Sequence, residues 1–481
     1  MESLLTAADT AYSRPSRMTM KYTKLHTGES NGNVDQELEA IALLESESES
    51  SGGEMYTEES KKKHFTVEEA VEAVGFGWFQ IRLYFMCGLF TAADSLEMML
   101  LAVISPVLRC EWGLEHFHVA FITTTLYMVT FWIGYYGLLT TFSPSYYWIL
   151  FLRCLVGGGL AGSPQSFALM AEYLPAKYRA KMLILGSVPW AVGTIFEVTV
   201  AAFTIPTLGW RWLLVFSAAP SFIMLLILKF LPESARYLVA AGDKDGAIKI
   251  LQKAAKVNRA SLPEGSLVQS KVVQRGEFKD LFSSNYVGTT VMLWVLWFAT
   301  AFSYYGMVLA STEILQKKKT GESCSCNLLN NDDYSTMILS SFGELIPLPV
   351  NMFLIDRVGR KKMGAFNMGG CAFFFMLLQI PMPQKALTAV MFCVRGFSSG
   401  MFNFVYIYSA EVYPTNIRTL GIGAASSWAR VGAMVTPFVA QVLLDQSLTA
   451  AVWVYGCVCS VAAICAICLP IETMGRALPV S

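Results

Sequence analysis

The chain is short of charge. Only 15% of its 481 residues are Asp, Glu, Lys or Arg, and 36 basic residues balance 36 acidic ones. A soluble protein of this length carries about a quarter charged residues, so this one lacks the polar surface to be wholly immersed in water. The even balance supplies no basic face, which excludes nucleic acid as a partner. Histidine is scarce as well. The four His residues lie outside the apolar runs and beside no Cys-x-x-Cys pair, so no metal site is expected. No Gly-x-x-x-x-Gly-Lys-Ser/Thr occurs, so ATP does not drive the protein directly. No nucleophile, base and acid form a set, and neither an enzyme nor a cofactor is expected. The polar N-terminus offers no cleavable signal peptide, which leaves membrane targeting to the first apolar helix.

Apolar length is what the chain has instead, with 54% hydrophobic residues. About 20 apolar residues cross a ~30 Å hydrocarbon core. Runs of that length fall at 81–107, 119–141, 148–172, 181–205 and 211–231, then at 287–311, 334–355, 364–381, 385–409, 419–443 and 448–469. The reading is an all-α membrane protein with eleven apolar runs and the lipid bilayer as its solvent. Residues 1–64 form an acidic, Ser-rich tail that cannot bury enough apolar surface to fold. Residues 65–231 and 287–470 form two helical halves, and 232–286 form a polar linker with short amphipathic helices, one at Asp245–Lys253. Residues 471–481 are a short tail. Thr66-Val67-Glu68-Glu69 reads as a capping box, and Gly75 and Gly77 end the helix it opens.

The two halves repeat. Ala171-Glu172-Tyr173-Leu174-Pro175-Ala176-Lys177-Tyr178-Arg179 and Ala410-Glu411-Val412-Tyr413-Pro414-Thr415-Asn416-Ile417-Arg418 share Ala-Glu-x-x-Pro-x-x-x-Arg. The same offset carries Gly193 onto Gly432 and Glu233-Ser234 onto Glu472-Thr473, and Arg153 and Arg395 stand inside the preceding runs. An internal repeat in an apolar chain implies two halves around a shared pathway. Lys177, Arg179, Lys181, Arg357 to Lys362, Arg418 and Arg476 gather on one side, cytosolic by the positive-inside rule, as are both termini. On that assignment the run at 119–141 begins and ends on the other side, which a single span cannot do. The second half has a basic turn, Asp356-Arg357-Val358-Gly359-Arg360-Lys361-Lys362, and the first half has no counterpart between Cys110 and Arg153. The first half is therefore expected to be one helix short. Most of the eleven cysteines act as small apolar residues in the runs. Cys324 and Cys326 lie in the polar loop at 312–333, with Cys110 on the same side as an available disulfide partner.

Charge at membrane depth marks function by default, because burying it is costly. At 1.5 Å per residue, Asp94 and Glu97 share one face of the first run, and Arg153 and Glu197 reach a similar depth. This set either binds a proton or other co-ion, or is a static ion pair holding helices in register, or includes an acid facing the extracytosolic vestibule. Glu344, Arg395 and Arg430 come out near the midplane of the second half. Tyr304, Tyr305 and Tyr406, with hydroxyls at depth that need partners, are candidates for a solute's polar groups, whereas Phe302 and Phe402 read as packing.

Asp-Arg-x-Gly-Arg-Lys at 356–361, Pro-Glu-Ser-x-Arg at 232–236 and Pro-Ile-Glu-Thr-x-Gly-Arg at 470–476 resemble the major facilitator superfamily, in its sugar and organic-ion branch. The resemblance implies a two-half bundle of twelve helices that moves a small organic solute by alternating access, and its vesicle members imply a synaptic or other cytoplasmic vesicle membrane. It also implies a cytosolic gate of ion pairs: Glu172 with Arg179, Glu411 with Arg418, Asp356 with Arg360 and Glu233 with Arg236, with Arg357 and Gly359 in the same motif. Simple helix capping is compatible with the same spacing. By the same resemblance Arg430 stands where a charge selects substrate sign, favouring an organic anion or zwitterion, unless Arg430 is merely paired to Glu344. A transporter-derived protein that binds a ligand or partner without transport is the alternative.

Overall fold

The computed structural model describes residues 64–126, 140, 145–157, 163–268, 277–317, 329–354, 357–414 and 416–474. His64–Phe65 (β1) pairs in parallel with Ser266–Leu267 (β2). Helix α1 (Val67–Val74) opens on the expected capping box: Glu69 N–H donates to Thr66 Oγ1 at 3.3 Å, and Thr66 N–H to Glu69 Oε2 at 2.9 Å. Gly75, at φ +64°, ends it in a conformation that costs glycine nothing.

The long helices follow. They are α2 (Trp78–Trp112), α3 (His116–Leu126), α4 (Tyr146–Gly157), α5 (Ser163–Glu172), α6 (Ala176–Leu185), α7 (Ser187–Thr207) and α8 (Trp210–Ile227). The linker adds α9 (Ala235–Ala240) and α10 (Lys244–Asn258). The second half is α11 (Val287–Lys317), α12 (Asn331–Phe342), α13 (Pro347–Leu354), α14 (Arg360–Leu377), α15 (Gln384–Val412), α16 (Arg418–Pro437) and α17 (Leu448–Cys468). Among the described residues six helical stretches are long and apolar enough to cross a membrane: Trp78–Trp112, Ala176–Thr207, Val287–Gln316, Gln384–Val412, Arg418–Gln446 and Leu448–Cys468.

The sequence repeat is a packing repeat. Helix α7 lies along α2, and α16 lies along α11 in the same way. Gly193 and Gly432, the glycines related by the offset, make both contacts. A Cβ on Gly193 would fall 2.5 Å from the Ala92 carbonyl, and one on Gly432 would fall 2.5 Å from the Phe298 carbonyl. Only glycine allows backbones to approach this closely. The halves meet where α2 touches α11, α7 touches α12 and α3 touches α16.

The linker is folded onto the first half. Val67, Ala70, Val71 and Val74 of α1 share a buried cluster with Ala247, Leu251, Ala254 and Ala255 of α10. Asn258, at the end of α10, accepts from Phe79 N–H at 2.9 Å and so caps α2. Two departures from the sequence reading have local causes. The run at 334–355 is broken: a 3-10 turn at Gly343–Leu345 separates α12 from α13, and a Cβ on Gly343 would fall 2.3 Å from the Phe392 carbonyl. Pro437, which has no N–H to continue the ladder, is followed by a π-helical stretch, Phe438–Leu443. The expectation about 119–141 falls mostly outside the described residues. Cys110 is disulfide-bonded; Cys324 and Cys326 lie outside the described residues.

Candidate functional site

The centre of the bundle is crossed by a chain of side chains. Arg395 of α15 holds Glu344, in the 3-10 break, with Nη2 at 2.6 Å and Nε at 3.0 Å from Oε1. The pair is almost wholly buried, at 1% and 2% exposure. Tyr304 of α11 donates its hydroxyl to the same Glu344 oxygen at 3.0 Å, and Trp190 of α7 donates its indole N–H to the Tyr304 hydroxyl. Trp190 belongs to the first repeat and the other three to the second, so the chain ties the halves together. Ser187 adds a parallel tie, donating to Asn403 Oδ1 at 3.0 Å. The pairing of Arg430 with Glu344 weighed from sequence is corrected here: Arg395 fills that place, because the break at Gly343 turns Glu344 toward α15.

Arg430 of α16 instead faces the first half. It is exposed although twelve residues into its helix, and it lies within electrostatic range of Asp94. Asp94 and Glu97 are both buried on α2 and interact with each other. Tyr305 and Tyr406 both sense Asp94 and Arg430. Rings join the two groups. Phe402 stands 5.4 Å from Tyr304, 6.3 Å from Tyr305 and 6.4 Å from Tyr406, and the Tyr406 edge meets Trp297 at 4.6 Å. Phe402 thus sits among the candidate tyrosines, whereas Phe302 stacks on Phe298 and meets a tilted Tyr455 ring at 4.8 Å in the core. Glu197 is fully buried on the α7–α8 seam, where the Ser217 hydroxyl donates to it at 2.7 Å. The backbone of Arg153 lies in α4, and its side chain is outside the described residues.

At the basic end Glu172 and Arg179, and Glu411 and Arg418, find other partners than the sequence expectation gave them. Arg360 grips Glu411, Nε to Oε2 at 3.0 Å and Nη2 to Oε1 at 3.1 Å, and Thr473 donates to Glu411 at 2.6 Å. Glu472 accepts the backbone N–H groups of Arg360 and Lys361 at 2.9 and 3.1 Å. Burial pushes its carboxyl up, but the N–H groups of Arg360, Lys361, Met474 and Thr473 outweigh that and hold it below the ordinary value. Gly359, at φ +93°, makes room, since a Cβ there would fall 3.1 Å from that carboxylate. Arg357 lies 4.0 Å over the Phe353 ring, and Asp356 is outside the described residues.

Neither motif glutamate pairs with its own motif arginine. Arg179 donates to the Leu174 carbonyl at 3.1 Å and Arg418 to the Tyr413 carbonyl at 3.2 Å. These are equivalent positions, each just before the motif proline, where the broken helix leaves a carbonyl without an N–H partner. Arg418 and Arg179 are also electrostatic neighbours across the two halves. Glu172 accepts from Ser234, the Glu233 carbonyl accepts from Tyr173, and Arg236 pairs with Glu68 of α1 at 3.0 Å.

Trp190 and Asn403 are not singled out by the sequence, and Thr473 enters there only as a letter of the repeat and of the motif at 470–476. An indole inside an apolar run looks like packing until its N–H is seen to need a partner. Arg109, Glu313, His116 and Asp445 were also passed over. They lie at run ends, where charge is usually just solvated. Among the described residues no group of His, Cys, Asp and Glu is placed to hold a metal ion.

Two pseudo-equivalent helical halves meeting over a polar centre, with paired basic motifs at one end, define a transporter of the major facilitator type. The chain belongs to the family described as Sugar (and other) transporter, which matches residues 120–479. SVOPL of Mus musculus is 41% identical over 466 residues, covering 88% of this chain and 94% of that one. The synaptic vesicle 2-related protein of Rattus norvegicus is 43% identical over 450 residues, covering 86% and 82%. In fold, the chain is similar to the inward-open xylose transporter XylE from E. coli, with a TM-score of 0.60 at 15% identity, covering 83% of this chain and 98% of that one.

Proposed function

We propose that the protein is a secondary active transporter that moves a small organic solute by alternating access of its two halves. The observation that carries this is the chain Trp190–Tyr304–Glu344–Arg395, a buried polar contact that passes from one repeat into the other. Beside it, Arg430 with Asp94 and Glu97 offers one cation and two carboxylates, and Tyr305 and Tyr406 supply hydroxyls. Arg395 is already neutralised by Glu344, so among the described side chains of the polar centre Arg430 is the cation left to meet a solute. That arrangement suits a zwitterion, its anionic end toward Arg430 and its cationic end toward Asp94 and Glu97. The same carboxylates are the candidate seat of a proton or other co-ion. The ion pairs at the basic end break and reform as the halves rock. A vesicle membrane, with both termini cytosolic, is the proposed location, in keeping with the synaptic vesicle 2-related relatives.

A second reading, a ligand- or partner-binding protein without transport, is favoured by the first half, whose sequence reads as one helix short between Cys110 and Arg153. Uptake into proteoliposomes from a panel of anionic, zwitterionic and cationic solutes separates the two. Saturable, gradient-dependent flux supports transport. Saturable binding with no flux supports the second reading.

A further inference from the structure

At the end of the bundle opposite the basic motifs, the halves are joined by charges that belong to no motif. Arg109, in the last turn of α2, directs Nη1 at the Glu313 carboxylate of α11, 3.2 and 3.0 Å from its two oxygens. Its Nη2 donates to Gln316 Oε1 at 2.9 Å. His116, the first residue of α3, has Nδ1 2.9 Å from Arg109 Nη1 and Nε2 3.2 Å from Asp445. The Phe117 ring meets Phe438 at 5.7 Å. Arg109, His116 and Phe117 come from the first repeat, and Glu313, Gln316, Phe438 and Asp445 from the second. Every contact in the set except Arg109–His116 therefore crosses between the halves.

These bonds differ from the central ones in how wet they are. Arg109 is 21% exposed, His116 27% and Asp445 50%; Glu313 is buried at 7%, but its partner Arg109 reaches water, whereas Arg395 and Glu344 are both sealed at 1% and 2%. A half-solvated ion pair exchanges for water at little cost, whereas breaking a buried pair strands a charge. Contacts that must open and close every cycle need the first kind. The π-helical stretch Phe438–Leu443 runs directly toward Asp445, and such irregular turns recur where helices rearrange.

We propose that Arg109, Glu313, His116 and Asp445 form the second gate of the transport cycle, opposing the Arg360–Glu411 end, and that His116 makes this gate close more tightly when its side is acidified. The proposal rests on the transporter reading above. Its sign follows from the geometry. A neutral imidazole carrying its proton on Nε2 donates to Asp445 and accepts from Arg109 through Nδ1. Protonation costs the Arg109–His116 bond and leaves two cations 2.9 Å apart, but both lie in one half, so that cost falls on the open gate as on the closed one. In return His116 gains a full charge against Asp445, while Arg109 keeps Glu313 and Gln316. The charged groups facing the imidazole are Arg109 from α2, Glu313 from α11 and Asp445. Glu115 and His118 pair with each other alongside, at 4.0 Å. With the ring neutral, one cation meets two carboxylates; with it protonated, two meet two, and both pairs bridge the halves. Imidazole is the side chain whose charge ordinarily changes between about pH 5 and 8.

The test is accessibility of a cysteine placed at Tyr305, in the polar centre, to a membrane-impermeant maleimide added on the Arg109 side of proteoliposomes. Peptide mass spectrometry keeps the native cysteines apart from the reporter. The labelling rate is expected to rise about fivefold, the equivalent of roughly 1 kcal/mol, in Arg109→Gln and in Asp445→Asn, the latter half-exposed and no threat to folding. Exchanging the charges, Arg109→Glu with Glu313→Arg, is expected to return the rate toward the parent's. In the parent, labelling is expected to slow as that side goes from about pH 7.5 to about 5.5, and His116→Gln is expected to flatten the profile. Unchanged labelling in Arg109→Gln and Asp445→Asn overturns the gate, and a pH profile retained in His116→Gln overturns the role of His116. Labelling needs no solute, so a protein that failed to transport in the flux assay would still report whether this gate exists.

Discussion

Arg395 and Glu344 touch at 2.6 Å inside the second repeat, and that contact reaches the first repeat through Tyr304 and Trp190. Removing one partner of a buried pair leaves the other charged and unmatched, at a cost of about 3–5 kcal/mol. Glu344→Gln and Arg395→Gln should therefore both lower the unfolding temperature in detergent sharply. Arg430→Gln, at an exposed site, should lower it little. Equal losses in all three would contradict the different burial of the two arginines.

Solute charge preference should follow Arg430 rather than Arg395. Arg430→Asp is expected to shift uptake from zwitterionic or anionic solutes toward cationic ones in a protein that remains folded. A well-folded variant with an unmoved preference would remove Arg430 from the recognition site.

Glu411→Ala and Arg360→Ala should alter exchange rate more than solute affinity, because their 3.0 Å bond lies at the basic end, away from the polar centre. Measuring both quantities decides the matter. Parallel loss of affinity and rate in both variants would argue that the end acts on binding directly.

The Glu472 latch on the Arg360 turn should depend on pH with a defined sign. Its native value is lowered, so its stabilisation is fully present above the ordinary carboxylate value of about 4.3 and is lost as pH falls through the lower native value. Limited proteolysis at Lys361 or Lys362 should stay slow at neutral pH and speed up only in that acid range. Glu472→Gln should be cut quickly at any pH.

Gly193→Ala and Gly432→Ala test whether the repeat governs packing. Each added methyl would overlap a facing backbone carbonyl at 2.5 Å, and overpacking of this kind costs about 1–3 kcal/mol. Similar losses of thermal stability are expected at the two sites. A loss at one alone would break the equivalence of the halves.

Much of this was legible before the structure. Apolar length gave the membrane class, and the Ala-Glu-x-x-Pro-x-x-x-Arg repeat gave the two halves, because local pattern reports local structure directly. The depths of Glu344, Arg395 and Arg430 were legible from helical rise. Their partners were not, since rise along a helix carries no information about rotation. Glu344 turns to Arg395 because Gly343 breaks the helix; Gly343, Pro347 and Pro349 mark a break in the run at 334–355, but apolar length alone reads that run as one span. The pairing of Glu172 with Arg179 and of Glu411 with Arg418 was misassigned for a related reason. Spacing within a motif suggested that Glu411 and Arg418 meet, whereas the proline between them frees a carbonyl that takes Arg418 and leaves Glu411 to Arg360. Trp190, Arg109 and Asp445 each make a contact across the seam between repeats, which no single stretch of sequence encodes.

On the proposed transport cycle, the two ends open in alternation about the Trp190–Tyr304 contact. The most direct measurement is pulsed electron resonance on two spin-label pairs in liposomes, one across the basic end at Lys177 and Asn416, the other across the opposite end at Glu115 and Ser447. A solute that is taken up should lengthen one distance while shortening the other. Distances that move together, or that do not respond to any transported solute, would contradict it.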